Sequence, residues 1–279
     1  MNRPTLLGTL AIILWSLLAL LSRAAATIPP FQLTAMAFTV SATLGLLFLW
    51  RTKTLATLRQ PPRVWLHGVG GLFGYHALFF AALAYAPAAE ANLLNYTWPL
   101  LIVLLSAPIL GLRLTPRHLI GVAIGLTGSL LLLAGGTNFT TTAVFGYACA
   151  IAAACTWALY SVISGKLHTV PTQAVAGFCA GTAILAAAAH ALFEPTIIPN
   201  WPALGSVLLL GIGPVGSAFF LWDIGMKRGD PRLLGTLAYA TPVASTIILG
   251  LAGFAPLSPL TLAAALLVAA GGFVAARAA

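Results

Sequence analysis

The sequence is short of charge. It holds 13 basic and only 4 acidic residues in 279, 6% in all, whereas a soluble domain carries about 25% because its surface must face water. That shortage excludes a water-soluble globular fold. Cysteine is scarce too: Cys149, Cys155 and Cys179 sit inside apolar segments, without metal-ligand spacing or nearby His or Cys partners. They read as small buried hydrophobes and carry no information on redox compartment. His67, His118 and His168 fall near one set of segment boundaries and His190 near the other, too scattered for a metal site. Neither a metal nor a cofactor is expected.

What the chain has instead is apolar length. Sixty per cent of its residues are hydrophobic and its mean hydropathy is +1.02. About one residue in 16 is charged, while a membrane-crossing helix needs about 20 largely apolar residues, so charges can only punctuate a series of spans. Counting about 7 residues per connection gives close to ten helices. The segments are apolar all round, which excludes the alternating strands of a porin-type barrel. A net charge of +9 and a pI near 10.1 do not indicate nucleic acid. The basic residues lie at the edges of apolar runs instead of clustering on one solvated face, so no nucleic-acid partner is expected.

Apolar windows fall at about residues 4–23, 31–50, 64–86, 91–111, 117–135, 144–164, 172–193, 202–224, 232–253 and 258–276. The first resembles a signal peptide, with Arg3 ahead of it and Ala24-Ala25-Ala26 behind, but its run of about 18 apolar residues exceeds the usual 7–15 of a cleaved signal. It is kept as a span. With the N-terminus cytoplasmic, the inner ends hold Arg3, Arg51, Lys53, Arg59, Arg63, Arg113, Arg117, Lys166, Lys227, Arg228, Arg232 and Arg277, and the outer side only Arg23. This positive-inside asymmetry places both termini in the cytoplasm.

The chain also repeats itself. Trp15 and Ser22 match Trp157 and Ser164 at an offset of 142; Phe79-Phe80 matches Phe219-Phe220, and Glu90 matches Asp230, at 140. Tyr96 and Pro99 match Tyr239 and Pro242, Thr115-Pro116 matches Ser258-Pro259, and Gly128 matches Gly271, all at 143. Five helices per copy is an odd number, so the copies cross in opposite senses. The expected architecture is therefore an all-α integral membrane protein of two inverted five-helix repeats, residues 1–137 and 138–279, forming one transport unit with its site near the repeat interface.

On these features the chain resembles the drug/metabolite transporter superfamily, among its EamA-type ten-helix exporters. The resemblance covers its whole length: an early Trp in helices 1 and 6, a Pro midway through helices 4 and 9, and small-residue-rich helices 5 and 10 opened by Thr115-Pro116 and Ser258-Pro259. The segment Asn92 to Pro99, NLLNYTWP, is similar to helix 4 of the YddG-type bacterial aromatic amino-acid exporters. That resemblance implies export of amino acids and related metabolites across the inner membrane. Many relatives carry a Gly-Glu pair at the ends of helices 4 and 9; here Gly111-Leu112-Arg113 and Gly253-Phe254 stand in those places, so rules resting on that Glu do not carry over.

Polar residues within spans should face other helices or a cavity. Asn92, Asn95, Tyr96 and Pro99 share one face of helix 4 by their i, i+3, i+4, i+7 spacing, suited either to interhelical hydrogen bonds or to a substrate path. Pro99, with Trp98 beside it, and Pro242, near Tyr239 and Thr241, loosen helices 4 and 9. Trp157, Tyr160, Ser161 and Ser164 share a face of helix 6, and helix 1 repeats the pattern through Trp15 and Ser22. Trp15 suits an interface anchor equally well, whereas Trp50, Trp65 and Trp201 read as belt residues at span edges. Helix 3 carries Tyr75, His76 and Phe79 near its centre. His76 is the only ionisable side chain near mid-depth, fit for helix packing, substrate contact or proton coupling. Asp223 precedes Lys227 by four residues, the spacing of a helical ion pair. Gly70/Gly74, Gly121/Gly125 and Gly177/Gly181 are small-xxx-small packing pairs. Gly211, Gly213, Pro214 and Gly216 mark a hinge or a static kink in helix 8.

The expected substrate site combines stacking surfaces from Tyr75, Phe79, Tyr96, Trp98, Trp157, Tyr160, Trp222 and Tyr239 with uncharged polar groups from His76, Asn92, Asn95, Ser161 and Thr241, and hinges at Pro99, Pro214 and Pro242. It suits a neutral, preferably aromatic, amino acid moved by alternating access, with facilitated diffusion the expected energetics because Glu90, Glu194, Asp223 and Asp230 lie toward the span ends and only His76 is central. A monomer in the bilayer suffices. The alternatives are a drug or nucleotide-sugar carrier of the same fold, a passive channel, or a membrane enzyme, for which the chain lacks a nucleophile with an acid/base pair.

Overall fold

The computed structural model describes residues 1–133, 140–254 and 258–277. These are helical apart from short connections, and nine of their segments are long and apolar enough to cross a membrane. They run Arg3–Arg23, Pro30–Arg51, Pro62–Tyr85, Glu90–Leu110, Thr141–Lys166, Thr172–Phe193, Trp201–Arg228, Pro231–Leu251 and Pro259–Ala276, each within a few residues of an expected window. The window at 117–135 coincides with the helix Pro116–Leu133, and its last two residues lie outside the described ones, as does the expected repeat boundary at 137/138.

Several spans are built from two pieces. The first divides into α1 (Arg3–Ser16) and α2 (Leu18–Ala24), followed by α3 (Pro30–Arg51) and α4 (Pro62–Tyr85). The fourth divides into α5 (Ala88–Asn95) and α6 (Trp98–Leu110), ahead of α7 (Pro116–Leu133), α8 (Val144–Lys166) and α9 (Val175–Phe193). Numbered by the expected windows, in which Pro116–Leu133 takes fifth place, the eighth segment runs as α10 (Trp201–Ile212), a π-helical turn at Gly213–Ser217, and α11 (Ala218–Arg228). The ninth divides into α12 (Pro231–Leu237) and α13 (Ala240–Leu251), and α14 (Pro259–Ala276) closes the chain. Pro30, Pro62, Pro231 and Pro259 open their helices, where a missing N–H costs nothing, and Asn2, Asn200, Asp230 and Ser258 cap theirs. Gly111 ends α6 and Gly253 follows α13 with φ of 70° and 79°. These two glycines are the helix stops, a conformation costly for any other residue.

The closest pairing is α7 with α14. A Cβ on Gly121 would come within 2.7 Å of the Gly271 carbonyl oxygen, and one on Gly128 within 2.9 Å of that of Ala264. The two backbones touch. Gly121→Leu is expected to force them apart at about 1–3 kcal/mol, seen as a lowered melting midpoint in detergent; an unchanged midpoint would show that the helices can slide. Gly177 and Gly181 likewise receive Trp65 and Val69. Trp65 is therefore a packing residue, edge-on to Phe178 at 5.8 Å, and not a belt residue. Gly70 and Gly74 meet no other helix closely; on α4 the tight positions are Gly68, against Phe178, and Gly71, against Tyr160.

Contacts between loops define two ends of the bundle. At one end the Asp230 N–H donates to Thr5 Oγ1 at 3.0 Å, Arg232 to the Arg113 carbonyl at 2.8 Å, and Arg117 to the Arg277 carbonyl at 2.9 Å. This is the basic end. Burial pushes the Asp230 carboxyl up, but hydrogen bonds and charge from Arg232 outweigh it and hold the group below its ordinary value. At the opposite end, Glu194 accepts from the N–H groups of Phe31 and Gln32 at 2.9 and 3.0 Å. It supplies to α3 the cap that Pro29 cannot.

Candidate substrate cavity

A cavity of about 400 Å³ opens between the spans in the half of the bundle away from the basic end. Its depth follows from the chain direction. The wall takes Ser22 from the last turn of the first span, Thr34 from the first turns of the second, Phe80 from the last turns of the third and Asn92 from the start of the fourth.

The floor is aromatic. Trp15, Trp98, Trp157 and Trp222, from four different spans, lie in mutual contact with ring centroids 5.0–6.4 Å apart. A buried indole needs a partner for its N–H. Trp15 donates to the carbonyl of Pro214 at 3.0 Å, a group made available by the π-helical turn, and Trp222 donates to Ser161 Oγ at 3.0 Å. Below this floor the basic half is closed: a Cβ on Gly225 would reach Gly8 Cα at 2.8 Å.

The walls are aromatic with few polar atoms. Tyr75 stacks on Phe79 at 6.0 Å, Phe38 on Phe219 at 5.6 Å, and His76 stands edge-on to Phe38 at 5.3 Å. His76 Nδ1 is 2.7 Å from the Leu72 carbonyl, which can only accept. Nδ1 therefore carries a proton, and in the neutral tautomer Nε2 is an acceptor. Asn95 donates through Nδ2 to the Tyr75 hydroxyl at 3.2 Å, while its Oδ1 and the hydroxyl of Thr241 are buried without a hydrogen-bond partner. No Asp, Glu, Lys or Arg is among the lining residues. Such a site can hold a flat apolar group and take N–H donors from an uncharged or zwitterionic ligand.

Of the residues expected at the site, the structure gathers Tyr75, His76, Phe79, Asn92, Asn95, Tyr96, Trp98, Trp157 and Thr241 around this cavity. Four lie outside it. Tyr160 is wedged against Gly71 and stacked on His67, while Trp222 backs the other three tryptophans of the floor without lining the cavity and donates to Ser161 beneath it. Tyr239 turns away to cover Gly125 of α7, with its carbonyl accepting from Ser129. Pro99 and Pro242 sit in the first turns of α6 and α13, just after breaks at residues 96–97 and 238–239, and Pro214 lies in the π turn.

Sequence reasoning passed over the second span, which supplies Leu33, Thr34, Ala37 and Phe38, and over Phe80, Leu210, Val215 and Phe219. Phe219 carried a signal as the repeat partner of Phe79. Among the described residues, no group of three or more His, Cys, Asp or Glu side chains could hold a metal ion.

The EamA-like transporter family matches the chain twice, over residues 3–134 and 144–277. The chain is 52% identical over 272 residues to a protein of Ancylobacter novellus named aromatic amino acid exporter YddG, a match covering 96% of this chain and 95% of that protein. It is 26% identical to the protein of the same name from Escherichia coli, covering 98% and 96%. A probable amino-acid metabolite efflux pump of Salmonella typhimurium is 24% identical, covering 96% and 93%. A solved structure titled "Crystal structure of protein" superposes with a TM-score of 0.95 at 50% identity, covering 99% of this chain and 97% of that one.

Proposed function

Since the chain belongs to the EamA-like transporter family, we propose that it exports neutral amino acids, aromatic ones foremost, across the bacterial inner membrane. The observation that carries this reading is the cavity itself: aromatic walls, no charged side chain, and acceptor oxygens of Asn95 and Thr241 buried without partners. An aromatic side chain packs against Tyr75, Phe79 and Phe38. Its α-ammonium donates to Asn95 Oδ1, Thr241 Oγ1 and His76 Nε2, which all accept.

The same reading includes ten spans, both termini cytoplasmic, and two inverted repeats. The paired family match and the concentration of Lys and Arg at one end support it. So does the packing: α4 lies on α8 as α1 lies on α11, α6 on α8 as α13 on α1, and α3 pairs with α9 as α7 pairs with α14. Shifting each element to its repeat counterpart exchanges α4–α8 with α1–α11 and α6–α8 with α1–α13, and carries α3–α9 and α7–α14 each onto itself. A carrier whose halves exchange conformations exposes one site alternately to two sides. On that orientation the site, above the tryptophan floor, faces away from the cytoplasm. A monomer contains the whole path. It acts as a carrier and not an enzyme, and its transport follows the substrate gradient, because no carboxylate lines the path.

Proteoliposomes test this directly. Phenylalanine, tryptophan and tyrosine should enter about tenfold faster than alanine at equal low concentration, from two or three aromatic contacts of about 0.5–1.5 kcal/mol. Lysine and glutamate should be excluded. With phenylalanine equal on both sides, an imposed pH gradient should drive no accumulation. Equal rates for alanine and phenylalanine would sink the aromatic site, and uphill movement would replace uniport by proton coupling.

A further inference from the structure

Outside the transport path, a second concavity runs along the membrane-facing surface between α3 and the eighth span. Its deeper section, about 280 Å³, is lined by Leu44, Gly45, Gly211, Gly216, Ser217 and Phe220. A neighbouring section of about 290 Å³ shares Gly45 and Phe220 and continues past Phe48 and Ile224 to Thr172, Gln173 and Arg228. The two form one groove. On α3 it extends from Ser41 to Leu49, about 12 Å at 1.5 Å per residue. That is close to the depth of one leaflet, half of a hydrocarbon core about 30 Å thick.

The two ends differ in chemistry. The mid-membrane end is made of small and apolar residues and reaches the π-helical turn of the eighth span. The other end is polar and cationic. Lys227 is taken up by Asp223 at 2.8 Å, whereas the exposed Arg228 beside it forms no hydrogen bond or ion pair among the described residues. Gln173 also makes no side-chain hydrogen bond, and it opens the seventh span together with Thr172, where the helix dipole adds positive potential. Arg51 lies one turn beyond Phe48.

We propose that this groove is a site for an anionic phospholipid of the leaflet bordering the basic end. One acyl chain lies along Leu44, Gly45 and Phe220, and the headgroup phosphate meets Arg228 and Gln173. An occupant there packs against the π turn that holds Pro214 toward Trp15, and so favours the conformation with the basic half closed.

Native mass spectrometry of the purified full chain tests the site by titration with phosphatidylglycerol, with phosphatidylcholine of the same acyl chains, and with glycerol 3-phosphate. Phosphatidylglycerol should bind about fivefold tighter than phosphatidylcholine, the increment of one interfacial cation. R228Q should bring that ratio close to one, and Q173L should lower it. L44W, which fills the chain section, should weaken both lipids alike and leave their ratio unchanged. Glycerol 3-phosphate should not be retained. Equal affinities in the wild-type protein, an undiminished ratio in a monodisperse R228Q sample, or displacement of phosphatidylglycerol by glycerol 3-phosphate would overturn the proposal.

Discussion

Replacing Asn95 by leucine is expected to lower phenylalanine transport about 10- to 100-fold while the protein stays folded. The size follows from what the amide does. Asn95 is 3% exposed; its Nδ2 is committed to the Tyr75 hydroxyl at 3.2 Å, and its Oδ1 has no hydrogen-bond partner. A buried acceptor bonded to a charged donor contributes about 1.5–3 kcal/mol. Leucine keeps the branched four-atom outline of the amide, so packing changes little. The loss should be specific to the ammonium: uptake of 3-phenylpropionate, which lacks that group, should change far less than uptake of phenylalanine. T241V, also close in shape, should show the same selectivity with a smaller loss. Wild-type phenylalanine transport by N95L would return Asn95 to interhelical packing and remove the acceptor cluster from the mechanism.

How much of this site the sequence disclosed depends on what periodicity can report. A helical face is visible in spacing, so Asn92, Asn95 and Tyr96 on one side of the fourth span, and Tyr75, His76 and Phe79 on the third, were legible as inward-facing groups. Depth is not visible in spacing. Tyr160 and Ser161 share a face with Trp157, but one turn further along α8 is below the floor, where they pack against His67 and Trp222. The cavity occupies only half of the bundle in this conformation, and a face reading follows the whole span.

The breaks in the helices were legible only in part. Those at residues 96–97 and 238–239 precede prolines, which mark them. That at Leu17 does not: neither glycine nor proline is adjacent, and Leu17 simply donates its N–H to Leu14 instead of continuing the α-helical ladder. The break allows α2 to bring Leu18, Ala19 and Ser22 to the cavity wall. Phe38 was missed for another reason. It is an ordinary apolar residue of an apolar span, and its role arises from which helix lies opposite.

The buried ion pair beneath the site carries the other large expected effect, on stability. Asp223 Oδ2 and Lys227 Nζ are 2.8 Å apart with side chains 3% and 5% exposed. Asp223 also accepts from the Thr172 hydroxyl at 2.6 Å, and Lys227 donates to the Val170 carbonyl at 2.9 Å. The pair thus joins the eighth span to the start of the seventh. Removing one member of such a pair strands the other charge, at about 3–5 kcal/mol, whereas exchanging both for apolar groups of similar size is close to neutral. Asp223→Ala should therefore lower the melting midpoint by roughly 10 °C, and adding Lys227→Met should recover most of it. Transport separates the two roles that remain. If the pair only supports packing, the double variant should move phenylalanine at the wild-type rate. If it also holds the basic half closed between cycles, the double variant should be stable yet altered in rate, since the link from Thr172 to the eighth span has been cut. A midpoint unchanged in Asp223→Ala alone would mean that Lys227 reaches water in the membrane-embedded protein and that the pair holds nothing together.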